Sequence, residues 1–168
     1  LAFARLAVNP RDDAACQRAL NVPPRGIGET TLVRLRAVAA EHEQPLTDAM
    51  RREEFRAGLR GPARKGMNDF IAILQKLRER TATSEGALRA VLDLTGYRRF
   101  AEALEATEDV DRGENIDELL AFAHEYDQRE DGGLRGFLAE IALLTDVDRW
   151  DENAARVSLM TVHAAKGL

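Results

Sequence analysis

Cysteine is almost missing from this 168-residue chain, and Cys16 is the only one. A single thiol excludes an internal disulfide framework and fits a reducing compartment. Its neighbours Ala14, Ala15 and Ala19 predict a small buried hydrophobe rather than a reactive group. Aromatic residues are only 5% of the chain, with Trp150 the sole tryptophan. No apolar run approaches the roughly 18 residues that a membrane helix needs. Lysine is scarce too: Lys65, Lys76 and Lys166 are the only three among 24 basic residues. The chain opens on Leu1 rather than methionine, and Leu1-Ala2-Phe3-Ala4-Arg5-Leu6 already reads as helix. No charged n-region or cleavage site precedes it, so these residues are not a signal peptide. The expectation is a piece of something longer.

What remains is enough for one ordinary domain. Hydrophobic residues make up 45% and charged residues 32%, which predicts a core and a soluble surface. A fold of this size buries roughly 70% of its unfolded surface. The net charge of -5 conceals an asymmetry. Residues 1–84 carry 15 Lys+Arg and 10 Asp+Glu, a balance of +5, whereas residues 85–168 carry 9 and 19, a balance of -10. A basic half on an acidic chain fits one face for a polyanion and another turned away from it. Solvated helix faces give the same count.

Helical periodicity runs from residue 1 to about residue 145. Met67, Phe70, Ile71, Leu74 and Leu77 form one apolar stripe; Tyr97, Phe100, Ala101 and Leu104 form a second. Ile116, Leu119, Leu120, Ala123 and Tyr126 form a third, and Leu134, Phe137, Leu138, Ile141 and Leu144 a fourth. All are expected to face a shared core. Shorter helices are predicted at 2–8, 12–20, 29–42, 46–56 and 84–95, with Ser84 as N-cap and Gly96 as the residue after the last turn. Breaks fall at Asn9-Pro10, 23–28, 58–62, 81–83, 109–113 and 131–133. After Trp150 the pattern changes. Asp151-Glu152-Asn153 reads as a connector, and residues 157–163 alternate well enough for a strand. One strand cannot make a sheet, so its partners are expected outside this chain. The fold class is therefore mainly α, a compact multi-helix body plus one C-terminal strand.

The chemistry of a self-contained enzyme is not written here. Gly61-Pro62-Ala63-Arg64-Lys65-Gly66 imitates a phosphate loop in composition only: its lysine precedes the glycine and no strand leads into it. His42, His124 and His163 are far apart, without partners at metal-ligand spacing, so no metal is expected. Glu53-Glu54, Asp12-Asp13 and Glu130-Asp131 read as solvated helix ends.

The most informative internal stretch is Asn21-Val22-Pro23-Pro24-Arg25-Gly26-Ile27-Gly28-Glu29-Thr30-Thr31-Leu32. Pro23 and Pro24 end one helix. Gly26 and Gly28 permit a tight turn with positive φ and remove side chains from its outer surface. Ile27 can plug into the core, and the turn then enters a helix N-terminus, a place that binds phosphate. Arg25 is expected to add a charged contact and Thr30 or Thr31 a hydroxyl. The stretch resembles the hairpin of helix-hairpin-helix domains, which grip a duplex backbone without reading sequence. An ordinary inter-helix turn remains the alternative.

The second informative stretch is Val157-Ser158-Leu159-Met160-Thr161-Val162-His163-Ala164-Ala165-Lys166-Gly167-Leu168, a strand ending in a loop with a hydroxyl, an imidazole and a Lys-Gly step. The string LMTVHAAKGL resembles motif V of superfamily 1 DNA helicases of the UvrD/Rep/PcrA type. That family also carries the Gly-Ile-Gly turn after NPRDDAA…ALNVPPRGIG, and ENIDELLAFAHEYD looks like a helix found between the two. The resemblance spans the whole chain in the right order. It implies the helical 2B subdomain of a bacterial ATP-dependent 3′-to-5′ helicase: residues 1–20 as the exit from the second motor domain (2A), 21–150 as 2B, and 151–168 as connector and returning 2A strand. By the same resemblance Arg25, Gly26, Ile27, Gly28, Thr30 and Thr31 hold duplex DNA, Thr161 and His163 touch single-stranded DNA, and Lys166 and Gly167 lie near the nucleotide cleft. ATP and Mg²⁺ belong to the parent, which would work in the bacterial cytoplasm; no cofactor, catalytic residue or membrane contact is expected of this piece. The missing motor domains and repair or polymerase proteins are the candidate partners. A protein-interaction or autoinhibitory module, and a free-standing helix-hairpin-helix repair protein, are the competing readings.

Overall fold

A computed structural model describes residues 1–105, 112–129 and 132–148. Among them every regular element is an α-helix, as the apolar stripes dictate. The order is α1 (Ala2–Val8), α2 (Asp13–Leu20), α3 (Glu29–Glu41), α4 (Leu46–Ala49), α5 (Glu53–Ala57), α6 (Gly61–Arg78), α7 (Ser84–Thr95), α8 (Tyr97–Glu105), α9 (Arg112–Arg129) and α10 (Gly133–Asp148). The expected strand at 157–163, the connector after Trp150, and Thr161, His163, Lys166 and Gly167 lie outside the described residues.

The buried side chains form two clusters rather than one shared core. Phe3, Leu6, Cys16, Leu20, Leu35, Met50 and Phe55 meet the whole α6 stripe in the first. Leu88, Ala101, Ile116, Leu120, Ala123, Tyr126, Leu134 and Phe137 make the second. α1 joins them, because Phe3 and Leu6 face one cluster while Ala4 faces the other. Residues 1–20, expected as an exit stump, are thus packed into the same helical body. The α10 stripe fades at its end: Leu134 and Phe137 are buried, but Leu144 is 50% exposed.

Side chains accept the first amides of three helices, α2, α4 and α7. The Asp12 carboxylate accepts the Ala15 N–H at 2.8 Å, and Asp13 accepts the Leu46 N–H at 2.9 Å, tying α4 to α2. These acids are structural ties, not merely solvated ends. The N-cap of α7 is Thr83, whose hydroxyl accepts the Gly86 N–H, with Ser84 as first helical residue. Asp127 of α9 accepts the Ser84 and Glu85 amides at 2.8 and 2.9 Å, so one carboxylate ties α9 to the positive end of α7. Gly96 closes α7 in the left-handed region, as its position predicted. The helix expected over 46–56 is broken in two, because Arg52 takes an extended conformation (ψ 139°) between α4 and α5.

Candidate nucleic-acid interface

The turn between α2 and α3 is built from underneath. Ile27 is buried, only 5% exposed, and anchors the turn to the first cluster. The Asn21 side chain accepts the Arg25 N–H at 2.7 Å. Positive φ is found at Gly26 (+70°), not at Gly28, which is extended at φ -77° and ψ 170°. Gly26 is needed twice over, since a Cβ there would lie 2.8 Å from the Pro62 Cβ of α6. Gly66, a turn further along α6, lies so close beneath the turn that a Cβ would collide with the Arg25 carbonyl oxygen.

Arg25 faces inward. Its guanidinium donates to the carbonyls of Ala19 (3.0 Å), Leu20 (3.3 Å) and Pro23 (2.9 Å). It also sits 5.1 Å from the Phe3 ring centroid and 5.8 Å from that of Phe70. The free carbonyls at the end of α2 attract a cation, and the two rings cover it. Burial pulls its pKa below the ordinary arginine value, with Asp69 acting in the opposite sense. The sequence expectation of an outward charged contact therefore meets a side chain already committed to holding the turn.

The outer surface of the turn is bare. Gly28 is the N-cap of α3 and offers no side-chain cap. Nothing lies within 4 Å of where its Cβ would be. The Gly28 carbonyl accepts the amides of Thr31 (3.0 Å) and Leu32 (3.2 Å). The two earlier amides, of Glu29 and Thr30, find no acceptor among the described residues. Thr30 is exposed and Thr31 half-buried. Together they form the kind of amide end that receives an anion. Glu29 is an opposing charge beside these amides; it pairs loosely at 3.5 Å with Arg36, which also donates to Gln17 at 2.6 Å.

Sequence reasoning missed the neighbour of this turn. The phosphate-loop imitation at 61–66 forms the first turn of α6 and packs directly against it. Paired glycines, one in the turn and one on a helix otherwise rich in large side chains, were the available signal. Elsewhere, His42 pairs with Glu54 at 2.6 Å and His124 with Glu85 at 2.9 Å. Cys16 is fully buried and its thiol is pushed up to about 12 by burial, with Asp13 and Asp12 adding to it, as befits a core hydrophobe. Among the described residues no three His, Cys, Asp or Glu side chains could hold a metal ion. None of the helices there is long and apolar enough to cross a membrane.

The described residues thus define a mainly α-helical domain in which the hairpin between α2 and α3 presents an uncapped amide end in open space. Comparison with known proteins gives this domain its family: the chain belongs to the UvrD-like helicase C-terminal domain family, whose match covers residues 1–168. It is 34% identical over 178 residues to the ATP-dependent DNA helicase PcrA of Bacillus subtilis (strain 168), covering 100% of this chain and 24% of that protein. It is 32% identical over 174 residues to the ATP-dependent DNA helicase PcrA of Staphylococcus aureus (strain NCTC 8325 / PS 47), covering 100% and 23%. The chain therefore spans about a quarter of the length of the relatives it matches.

Proposed function

We propose that this chain is the accessory, duplex-holding 2B region of a bacterial ATP-dependent 3′-to-5′ DNA helicase. The helical body is its subdomain, and residues 151–168 return to the second motor domain with motif V. The observation that carries the reading is the uncapped amide end of α3 at Gly28, set in open space on a turn fixed from below. The relatives' names, ATP-dependent DNA helicases, supply the class of machine. The work of the turn is to hold a phosphate of the duplex ahead of the junction while the motor moves. Gly26 and Ile27 shape the turn, Arg25 braces it, and Gly28 with the Glu29 and Thr30 amides and the Thr30 and Thr31 hydroxyls receives the phosphate.

The remaining assignments rest on resemblance. Thr161 and His163 would meet single-stranded DNA, and Lys166 and Gly167 would lie near the nucleotide. ATP and Mg²⁺ do not fit the described residues, which hold neither a phosphate loop nor a metal cluster. Both belong with the rest of the parent, and so does the unwinding itself.

Fluorescence anisotropy of a labelled duplex, titrated at several salt concentrations, tests the reading. The expected affinity is weak, roughly 10⁻⁴–10⁻⁶ M, and indifferent to sequence. Gly28→Val is the decisive variant. The Gly28 backbone is extended, so valine folds there without strain, yet its branched Cβ occupies the space the phosphate needs. A folded Gly28→Val chain that binds duplex as well as the parent would hand the turn a structural role and favour the interaction-module reading.

A further inference from the structure

The two buried clusters do not close completely against each other. A cavity of about 570 Å³ opens between them. Leu88, Ile116 and Leu120 of the second cluster line one side, and Phe3 and Ala19 of the first line the other. Helices α1, α2, α7 and α9 thus all contribute to its walls. Leu1 and Val22, large apolar side chains that stand 47% and 43% exposed, belong to the same lining. Its polar side chains are Gln17, Arg18 and Tyr97, and they are not equivalent. The Gln17 carbonyl oxygen is taken by Arg36 at 2.6 Å. Arg18 is exposed in the last turn of α2 and forms no ion pair among the described residues. The result is an apolar hollow with an uncommitted cation beside it.

We propose that this hollow is a binding site for a small amphipathic acid, a molecule with an extended apolar tail and one carboxylate. Size selects against a protein segment. An α-helix about 10 Å across that rises about 1.5 Å per residue fills roughly 120 Å³ per residue, so about five residues would occupy the hollow, little more than one turn. Such a contact falls far short of the roughly 800 Å² per partner that a stable protein interface buries. The same volume lies within the range of about 300–1,000 Å³ found for small-molecule sites, which are mainly apolar with a few polar groups that orient the ligand. Charge complementarity selects the head group. The Arg18 guanidinium offers a planar fork to a carboxylate, and no acidic side chain lines the hollow to oppose it. The inference does not depend on the reading of the turn. Its consequence is regulatory: a ligand seated there touches α1 and α2 on one side and α7 and α9 on the other, so occupancy stabilises the union of the two clusters.

The test is calorimetric titration of the full 168-residue chain with sodium decanoate below its micelle concentration, and with octanoate and decan-1-ol beside it. Decanoate should bind one-to-one and raise the melting temperature. Octanoate, two methylenes shorter, should bind roughly tenfold more weakly, because each buried methylene is worth about a factor of four. Arg18→Glu, an exposed site, should weaken decanoate about fivefold and leave decan-1-ol within about twofold. Leu119→Gln, a half-buried lining position, should weaken both ligands alike. Circular dichroism checks that each variant is folded. Absence of saturable one-to-one binding overturns the proposal, and so does an affinity that ignores tail length or both substitutions. Decanoate binding untouched by Arg18→Glu removes the carboxylate from the ligand class and overturns it too. A dimer in sedimentation equilibrium that Leu119→Gln dissolves would assign the hollow to a second copy of the chain. Loss of decanoate binding when the chain is extended upstream of Leu1 would assign it to that extension. Either result overturns the small-molecule site.

Discussion

A single guanidinium does more for this site than its charge suggests. Arg25 satisfies carbonyls that α2 leaves open and wedges Phe3 apart from solvent, so its loss removes several contacts at once. Arg25→Ala should lower stability by about 2–4 kcal/mol, read by urea denaturation, because charged hydrogen bonds and ring contacts vanish together. Arg25→Lys should rescue only part of the loss, since an ammonium can approach the three carbonyls that Nη1 meets but lacks the planar guanidinium lying against the Phe3 and Phe70 rings. Whatever duplex binding survives should keep its salt slope; an outward arginine would instead flatten it by about one unit on removal. Glu29 is the complementary case. It is well exposed beside the open amides, where its charge opposes an anion. Glu29→Gln should tighten duplex binding roughly two- to fivefold at low salt, and the gain should disappear at high salt. No change at low salt would place the bound phosphate elsewhere.

Helix ends carry the next lesson. The Asp127 carboxylate spans from α9 to the first amides of α7. Burial pushes its pKa up, but the Glu85 and Ser84 hydrogen bonds, with the field of His124, outweigh it and leave the pKa below the usual aspartate value. A carboxyl depressed in the folded state stabilises above its unfolded pKa, near 4, and that stability is lost as pH falls through the folded value. The melting temperature of the parent should therefore fall below about pH 4, and that of Asp127→Asn should start lower and fall less steeply across the same window. A parallel descent of the two curves would remove Asp127 from the acid response. Helices at this scale were largely legible in the sequence. Residues 2–8 and 84–95 are recoverable because glycine, proline and threonine mark their ends. The break between α4 and α5 is not, since Met50-Arg51-Arg52 contains no such marker. The turn could be read as a turn, but not the inward course of Arg25, because the carbonyls and rings that draw it in come from α1, α2 and α6. Contacts between residues 25 and 66, or 26 and 62, follow from how helices pack, which a local pattern does not encode.

Across the whole molecule, two buried clusters share α1 as their common wall. That arrangement predicts coupled loss of both. Phe70→Ala, in the first cluster, should cost about 3–5 kcal/mol, and hydrogen exchange should show α7 and α9 losing protection along with α6. Retained protection of α9 amides after α6 has opened would separate the clusters into independent units. The close seat of the turn on α6 has one more consequence, visible in a library that varies every position. Sorted for soluble, folded yield, such a library should empty at position 66, where any side chain strikes the Arg25 backbone. Position 28 should stay populated in that sort, because its missing side chain leaves only open space. Sorted again for capture on immobilised duplex, the survivors should lose position 28 in turn. Two glycines, one beneath the turn on α6 and one within it, would then be recognised as different kinds of requirement: one enforced at the ribosome's exit, the other only in front of DNA.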